Sequence, residues 1–218
     1  MFERLFGKPR FLFYEDSFAR TRVGILNGLR DALVPRIEQG ECFLIVTHFA
    51  DTFIELQDKL ASWSIDYQIN SSPMSPFAIR EMVLSAQAPV TLSLSGLLRN
   101  DATATEAFER DKKIGIMVVE RHPDGVSDDA LEQFSRSIPC YVELGYFLSF
   151  EDAVVAELVH GSALKILDLF GMGENELITS NMISRRLKNL LKHNSRFYKT
   201  NHAADSAKQW LELNKKEV

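Results

Sequence analysis

Cysteine is scarce in this chain: 2 thiols, Cys42 and Cys140, in 218 residues. Each sits in an apolar run without a partner at metal-ligand spacing, which argues against a disulfide framework and against a zinc site. Buried, reduced thiols of the cytoplasmic kind are the expectation. An excess of one charge is lacking as well. Lysine and arginine number 25 against 30 acids, a formal net charge of −5, so a general nucleic-acid binder is disfavoured and only a local basic patch remains open. No apolar run approaches the ~20 residues of a membrane-spanning helix. The opening MFERLFGKPR is too short and too charged for a secretory leader. A cytoplasmic protein that is not inserted in a membrane is expected.

Catalytic signatures are also missing. A phosphate-binding loop needs Gly-x-x-x-x-Gly-Lys-Ser/Thr, so that backbone N–H groups surround the phosphates and the lysine reaches the terminal one. Here Gly7-Lys8 is followed by Pro9 without the upstream glycine, and no Asp-Glu pair follows a strand as a magnesium site requires. There is no Gly-x-Ser-x-Gly elbow of the hydrolase type. His48, His122, His160, His193 and His202 show no i, i+4 pairing and no cluster with acids or cysteines, so no metal is expected.

What is present is a regular alternation. Hydrophobic residues make up 45% and charged residues 25% of the chain, the composition of a globular protein with the length for one α/β domain and a helical extension. Short apolar runs predict strands over Cys42–Thr47, 65–69, Val90–Leu94, 114–119 and 140–148. After the aromatic run Phe11 to Tyr14, a helix is predicted over 17–38, with Ile25, Leu26, Leu29 and Leu33 on one face, Pro35 kinking its end and Gly40 closing it. Asp51 is placed to cap a helix carrying Phe53, Leu56 and Leu60, while Ser75 and Pro76 open another to 86. Asp101 opens a brief helix through 108, and a polar helix covers 127–135. Strands that alternate with single helices predict parallel crossovers, hence a RecA-like (P-loop NTPase-type) parallel sheet with helices on both faces. Ser149 with Asp152 makes a capping-box-like start for a helix over 151–170 that Gly161 interrupts, followed by helices over 181–193 and 203–213. The expected organisation is a lead-in with a packing helix over 1–40, the α/β core over 41–150 and C-terminal helices over 151–218. Those helices are apolar on one side and must dock, on the core or on a second copy of it.

One stretch organises the rest. The strand over 114–119 runs into Glu120-Arg121-His122, then a polar helix, an apolar run and Phe147-Leu148-Ser149-Phe150-Glu151-Asp152. This resembles the second motor lobe of the SecA translocase ATPase family, in which an E-R-H after a strand and an F-Y-L-S-x-E-D-like segment bracket an arginine-rich motif that contacts ATP. From the residue after His122 to Asp152 the two patterns lie together without a gap, and the three arginine positions of the family then fall on Glu132, Phe134 and Ser137. Further similarities follow in order. Residues 16–40 look like the family's linker helix and 40–60 like its first strand and helix. The segment 90–99 sits where the family runs into a T-N-M-A-G-R-G-T-D loop, and Arg99 matches that arginine while the neighbouring glycines and acid do not. Residues 169–191 resemble the L-G-M stretch and the start of the scaffold helix.

The resemblance implies a lobe that has lost its chemistry. The family keeps its phosphate-binding loop and magnesium site in the first lobe, which this sequence does not carry, and second-lobe arginines of this kind supply about 10³–10⁵ in rate. Glu132, Phe134 and Ser137 cannot do so. Arg99 and Arg136 are vestigial nucleotide contacts at best, and Arg136 reads first as a solvated arginine on a surface helix or its end. No catalytic residue, cofactor or metal is expected, and Glu120-Arg121-His122 is expected to hold the strand-to-loop turn by hydrogen bonds. Arg185, Arg186, Lys188 and Lys192 form the strongest basic cluster, either a solvated helix face or a contact for an acidic partner or lipid head groups. The function implied is a non-catalytic SecA-like lobe acting as a protein-binding or regulatory module. The alternative is a half-site that pairs in trans with a separate ATPase lobe and modulates ATP turnover or preprotein translocation. A homo-oligomer is left open, and an enzyme of unrelated chemistry has no supporting motif.

Overall fold

The computed structural model describes residues 10–100, 107–159, 173–198 and 202–215. The sheet is built around β3 (Cys42–Thr47), whose residues alternate between two buried faces: Phe43 and Ile45 join one core, Leu44 and Val46 the other. That is why the strand reads as a continuous apolar run. In chain order the other strands are β1 (Phe11–Phe13), β2 (Ser17–Ala19), β4 (Tyr67–Asn70), β5 (Val90–Leu94), β6 (Glu109–Val118), β7 (Cys140–Ser149) and β8 (Ile178–Thr179). They form an eight-stranded sheet in the order β4-β5-β3-β6-β7-β2-β8, with β1 also on β7. Every pairing is parallel except β2 with β8. The expected α/β architecture, RecA-like with a mostly parallel sheet and helices on both faces, is the one observed.

Helices α1 (Arg22–Glu38) and α2 (Ala50–Ser62) cover one face. On the other lie α3 (Pro76–Ser85), α4 (Val126–Ser137), α5 (Ala153–Val159) and α6 (Asn181–Asn194). The last helix, α7 (Ala207–Asn214), places Trp210 in a small cluster with Phe49 and Tyr198 beyond the end of β3. Hydroxyl caps define several of these starts. Thr21, Ser75, Ser180 and Ser206 each accept the N–H of a residue in the first turn that follows. Gly40, at φ +81°, lets the chain leave α1 and enter β3.

Several boundaries differ from the sequence reading. Residues 17–19 are a strand and not the start of α1, because pairing with the end of β7 buries Phe18 and Ala19 completely. The helix starts only after the Thr21 cap and continues through Pro35. β4 begins at Tyr67 instead of 65, and β6 begins at Glu109, with an irregularity in its pairing before Lys113. The described part of the helix expected over 151–170 is Ala153–Val159, and residues 160–172 lie outside the described residues; of the brief helix expected from Asp101 through 108, residues 101–106 lie outside them and 107–108 are not helical but lead into β6. Both cysteines are free thiols. Cys140 is buried, which pushes its pKa up to about 12, whereas Cys42 is only partly covered. No described helix is long and apolar enough to cross a membrane.

Candidate functional site

After β3 the chain turns into α2 on one face of the sheet, and after the adjacent β6 it turns into α4 on the opposite face. This divergence opens a crevice at the carboxyl ends of β3 and β6, the place where open α/β sheets take up ligands. The residues that reach it are His48 and Phe49 after β3, Ser95 after β5 and Glu120-Arg121-His122 after β6.

Glu120 fills the position an anion would take. Its Oε1 accepts the backbone N–H groups of His48 at 2.7 Å and Phe49 at 3.0 Å, and its Oε2 accepts the Thr52 hydroxyl at 2.7 Å. Phe49 is the N-cap of α2 and offers no side chain for that role. The cap therefore comes from the far strand, and Asp51, the residue expected to provide it, sits in the first turn instead. A helix N-terminus favours an anion through its free N–H groups and its dipole; here the protein's own carboxylate provides one. Burial raises the Glu120 pKa, against the opposing pull of His48 and the bonds from Thr52, His48 and Phe49.

Arg121 runs the other way. It is 2% exposed, makes a two-pronged bond from Nη2 to both oxygens of Asp16 at 2.8 and 2.7 Å, reaches Asp128 Oδ2 from Nη1 at 3.2 Å and lies 3.5 Å from the centre of the Tyr146 ring. Asp16 comes from the connection between β1 and β2, which both lie along β7. Asp128 in turn accepts the His122 N–H at 3.2 Å and meets His48 Nε2 at 2.9 Å, while His48 Nδ1 meets Ser95 Oγ at 2.8 Å. A continuous chain of polar groups, Asp16–Arg121–Asp128–His48–Ser95, thus crosses the carboxyl edge of the sheet. Burial alone would raise the Asp128 pKa, but Arg121 and His48 hold it below the ordinary carboxylate range. For Arg121 burial works to lower the pKa, and the negative groups Asp128 and Asp16 outweigh it.

A second group of charges flanks Glu120 in an open cleft. Arg22 bonds Glu55 at 2.6 Å, Asp152 at 3.2 Å and the Val119 carbonyl at 3.2 Å. Asp152 also accepts the Ser149 N–H at 2.7 Å, the expected capping interaction, although the Ser149 hydroxyl takes the Glu151 N–H and the helix starts only at Ala153. Burial, with Glu120 and Glu55 nearby, outweighs Arg22 and raises the Asp152 pKa to about 6 from 3.8. Because the folded-state value lies above the unfolded one, Asp152 contributes stability that is fully present below the unfolded value and lost as pH rises through about 6. That loss is about 3 kcal/mol, at 1.36 kcal/mol for each unit. Asp152→Asn is expected to flatten the urea stability profile between pH 4 and 7; a profile as steep as the wild type's would remove Asp152 as its source.

The C-terminal helix closes one side of the crevice. The His122 ring stacks on Phe49 at 5.2 Å and meets Trp210 edge-on at 5.1 Å, and Trp210 meets Tyr198 at 5.3 Å. Asp51 donates its N–H to the Asp205 carbonyl at 3.0 Å.

The residues singled out from sequence lie elsewhere. Arg99 is exposed after β5, and its backbone N–H bonds the Met74 carbonyl at 2.9 Å. Arg136 is half-exposed on α4, paired with Glu132 at 2.6 Å and lying over the Phe11 ring at 4.1 Å. Of the three positions singled out in that resemblance, Glu132 holds Arg136, Phe134 is buried in the core and the Ser137 hydroxyl bonds the Gln133 carbonyl. The basic cluster on α6 divides. Arg185, Arg186 and Lys192 are exposed, while Lys188 turns inward over the Phe13 ring at 4.2 Å and approaches Glu132 at 3.8 Å. Among the described residues no group of His, Cys, Asp and Glu is arranged to hold a metal ion. Sequence reasoning missed Ser95, His48 and Asp128 because they come from three separate places, the ends of β5 and β3 and the first turn of α4. The one available signal was that His48 and Ser95 each end an apolar strand run.

The fold and the site define an α/β protein of RecA-like architecture whose switch-point crevice holds its own carboxylate and is covered on one side by its own C-terminal helix. No protein-family model matches the chain, and no curated protein sequence matches it.

Proposed function

We propose that this chain is a SecA-like second motor lobe that has given up nucleotide chemistry and works as a protein-binding or regulatory module. The observation that carries the reading is Glu120 on the N-terminus of α2, bonded to His48, Phe49 and Thr52. A phosphate entering that crevice meets a carboxylate where it needs donors, with Glu55 and Asp152 beside it. Arg136, the nearest stand-in for a lost arginine, is committed to Glu132 and Phe11. For a partner, the outer face of α6 combines exposed Arg185, Arg186 and Lys192 with Met182, 73% exposed. Charge complementarity favours an acidic protein surface with an apolar centre.

Calorimetry with magnesium-ATP tests the nucleotide half of this reading. No binding heat and no phosphate release are expected. A dissociation constant in the micromolar range that is lost in Arg99→Ala or Arg136→Ala would overturn it. Affinity capture tests the other half: a protein retained by the wild type should be lost in the double variant Arg185→Glu/Arg186→Glu, and equal retention would move the contact away from α6.

A further inference from the structure

We propose that Ser95, His48 and Asp128 form a nucleophile, a general base and a positioning acid that hydrolyse a carboxylic ester, an activity independent of nucleotide. The register of the sheet creates the juxtaposition. β3 and β5 are parallel neighbours with Thr47 opposite Leu94, so the next residue of each strand, His48 and Ser95, emerges side by side at the carboxyl edge. Asp128, in the first turn of α4, approaches from the other side of the imidazole. The resulting distances are 2.8 Å from Ser95 Oγ to His48 Nδ1 and 2.9 Å from His48 Nε2 to Asp128 Oδ1.

The protonation states follow from the partners. Asp128 accepts from Arg121 at Oδ2 and from the His122 N–H at Oδ1, so it is a carboxylate with no proton to give. His48 Nε2 therefore carries hydrogen toward Asp128, and in the neutral imidazole Nδ1 is then the acceptor and the Ser95 hydroxyl its donor. That is the tautomer a serine nucleophile needs. The two ring nitrogens are exchanged relative to the usual Ser-His-Asp order, but the roles depend on geometry and not on which nitrogen performs them. The imidazole is fully buried and held at both ends, whereas Ser95 is only half-buried. Beside it, a Cβ placed on Gly96 would meet nothing within 4 Å, so the nucleophile has open space next to it.

In the acylation step Ser95 Oγ forms a bond to the ester carbonyl carbon as its proton passes to His48 Nδ1, and the carbonyl electron pair moves to oxygen. The imidazolium so formed is stabilised by Asp128. Collapse of the tetrahedral adduct breaks the bond to the alcohol oxygen, which leaves with the Nδ1 proton. Water then adds to the acyl-serine by the same path, releasing the carboxylic acid and restoring the Ser95 hydroxyl. The net reaction is ester plus water to acid plus alcohol. Arg121 draws on the same Asp128 carboxylate, which weakens its hold on the imidazolium and makes a slow enzyme the expectation.

The test uses the full chain with p-nitrophenyl acetate as substrate and a fluorophosphonate as covalent probe. Expected are one phosphonate adduct per chain, mapped to Ser95 by peptide mass, and ester hydrolysis above the buffer rate. Ser95→Ala, folded as judged by an unchanged melting temperature, should lose the adduct and at least about 10²-fold in rate, because removing the nucleophile removes the covalent path. Ser95→Cys should restore acylation by the ester. Asp128→Asn should move the rising limb of the pH–rate profile to lower pH, because the imidazolium loses its carboxylate; an unmoved limb takes Asp128 out of the mechanism. Hydrolysis that is the same in Ser95→Ala as in the wild type, or a probe adduct on any other residue, overturns the proposal and leaves the trio as a hydrogen-bonded strut. None of these readouts depends on the ATP or partner experiments.

Discussion

Arg121→Met is expected to lower stability by about 3–5 kcal/mol, the cost of breaking a buried ion pair by deleting one partner. The guanidinium stands between two carboxylates that are themselves almost fully buried, Asp16 and Asp128, and rests on the Tyr146 ring. Methionine fills much of the volume but leaves both acids in an apolar interior without a cation, where they must take up protons. The loss should therefore grow as pH rises from 4 to 7, and guanidinium denaturation at both pH values measures it. Lysine is not a substitute, since the two-pronged bond to Asp16 together with the contact to Asp128 needs the planar fork. Asp16→Asn combined with Arg121→Met should recover part of the loss, because one of the stranded charges is gone. A deficit below about 1 kcal/mol for Arg121→Met would show that the network is not what joins the β1–β2 connection to the carboxyl edge of the sheet.

The effect matters because the network is also where sequence reasoning stopped. Period and composition were enough to place β3, β5, α3 and the parallel sheet, since a strand buried on both faces leaves an unbroken apolar run and a hydroxyl followed by proline marks a helix start. Glu120-Arg121-His122 could be expected to hold a turn by hydrogen bonds, and it does, but its reach could not be foreseen. Glu120 caps a helix 71 residues earlier in the chain, and Arg121 reaches Asp16 across 105 residues. Asp51 looked like the cap only because local rules cannot anticipate an acceptor that follows another strand. The same limit applies to α6, expected only to be apolar on one side. Met182, apolar and in the first turn, is left in water, because the helix meets the core chiefly through Leu187 and Leu191, while Lys188 covers an aromatic ring. Helical periodicity gives the direction of a face, and what that face meets is decided by the sheet edge beneath it.

The C-terminal helices should prove indispensable to the fold. Truncation after Gly173 removes β8, which pairs with β2, and α6, whose Leu187 and Leu191 are in the main core; it also removes Trp210, only 5% exposed against Phe49 and Tyr198. Each of those three side chains contributes roughly 1.5–3 kcal/mol when buried, and the sum is comparable to the whole stability of a typical domain, about 5–15 kcal/mol. The truncated chain would also expose His122 and Phe49 at the crevice and leave Phe18 without its antiparallel neighbour. It is expected to be insoluble or to melt more than about 10 °C below the full chain, a shift that a few kcal/mol produce in a protein of this size. Trp210→Ala is the milder test. It should cost about 3–5 kcal/mol through the cavity it leaves, read by urea denaturation, while the far-UV circular dichroism of the sheet remains. If the truncated chain instead melts like the intact one, α6 and α7 are an independent arm, and the surface that engages a partner should be sought on that arm instead of on the sheet.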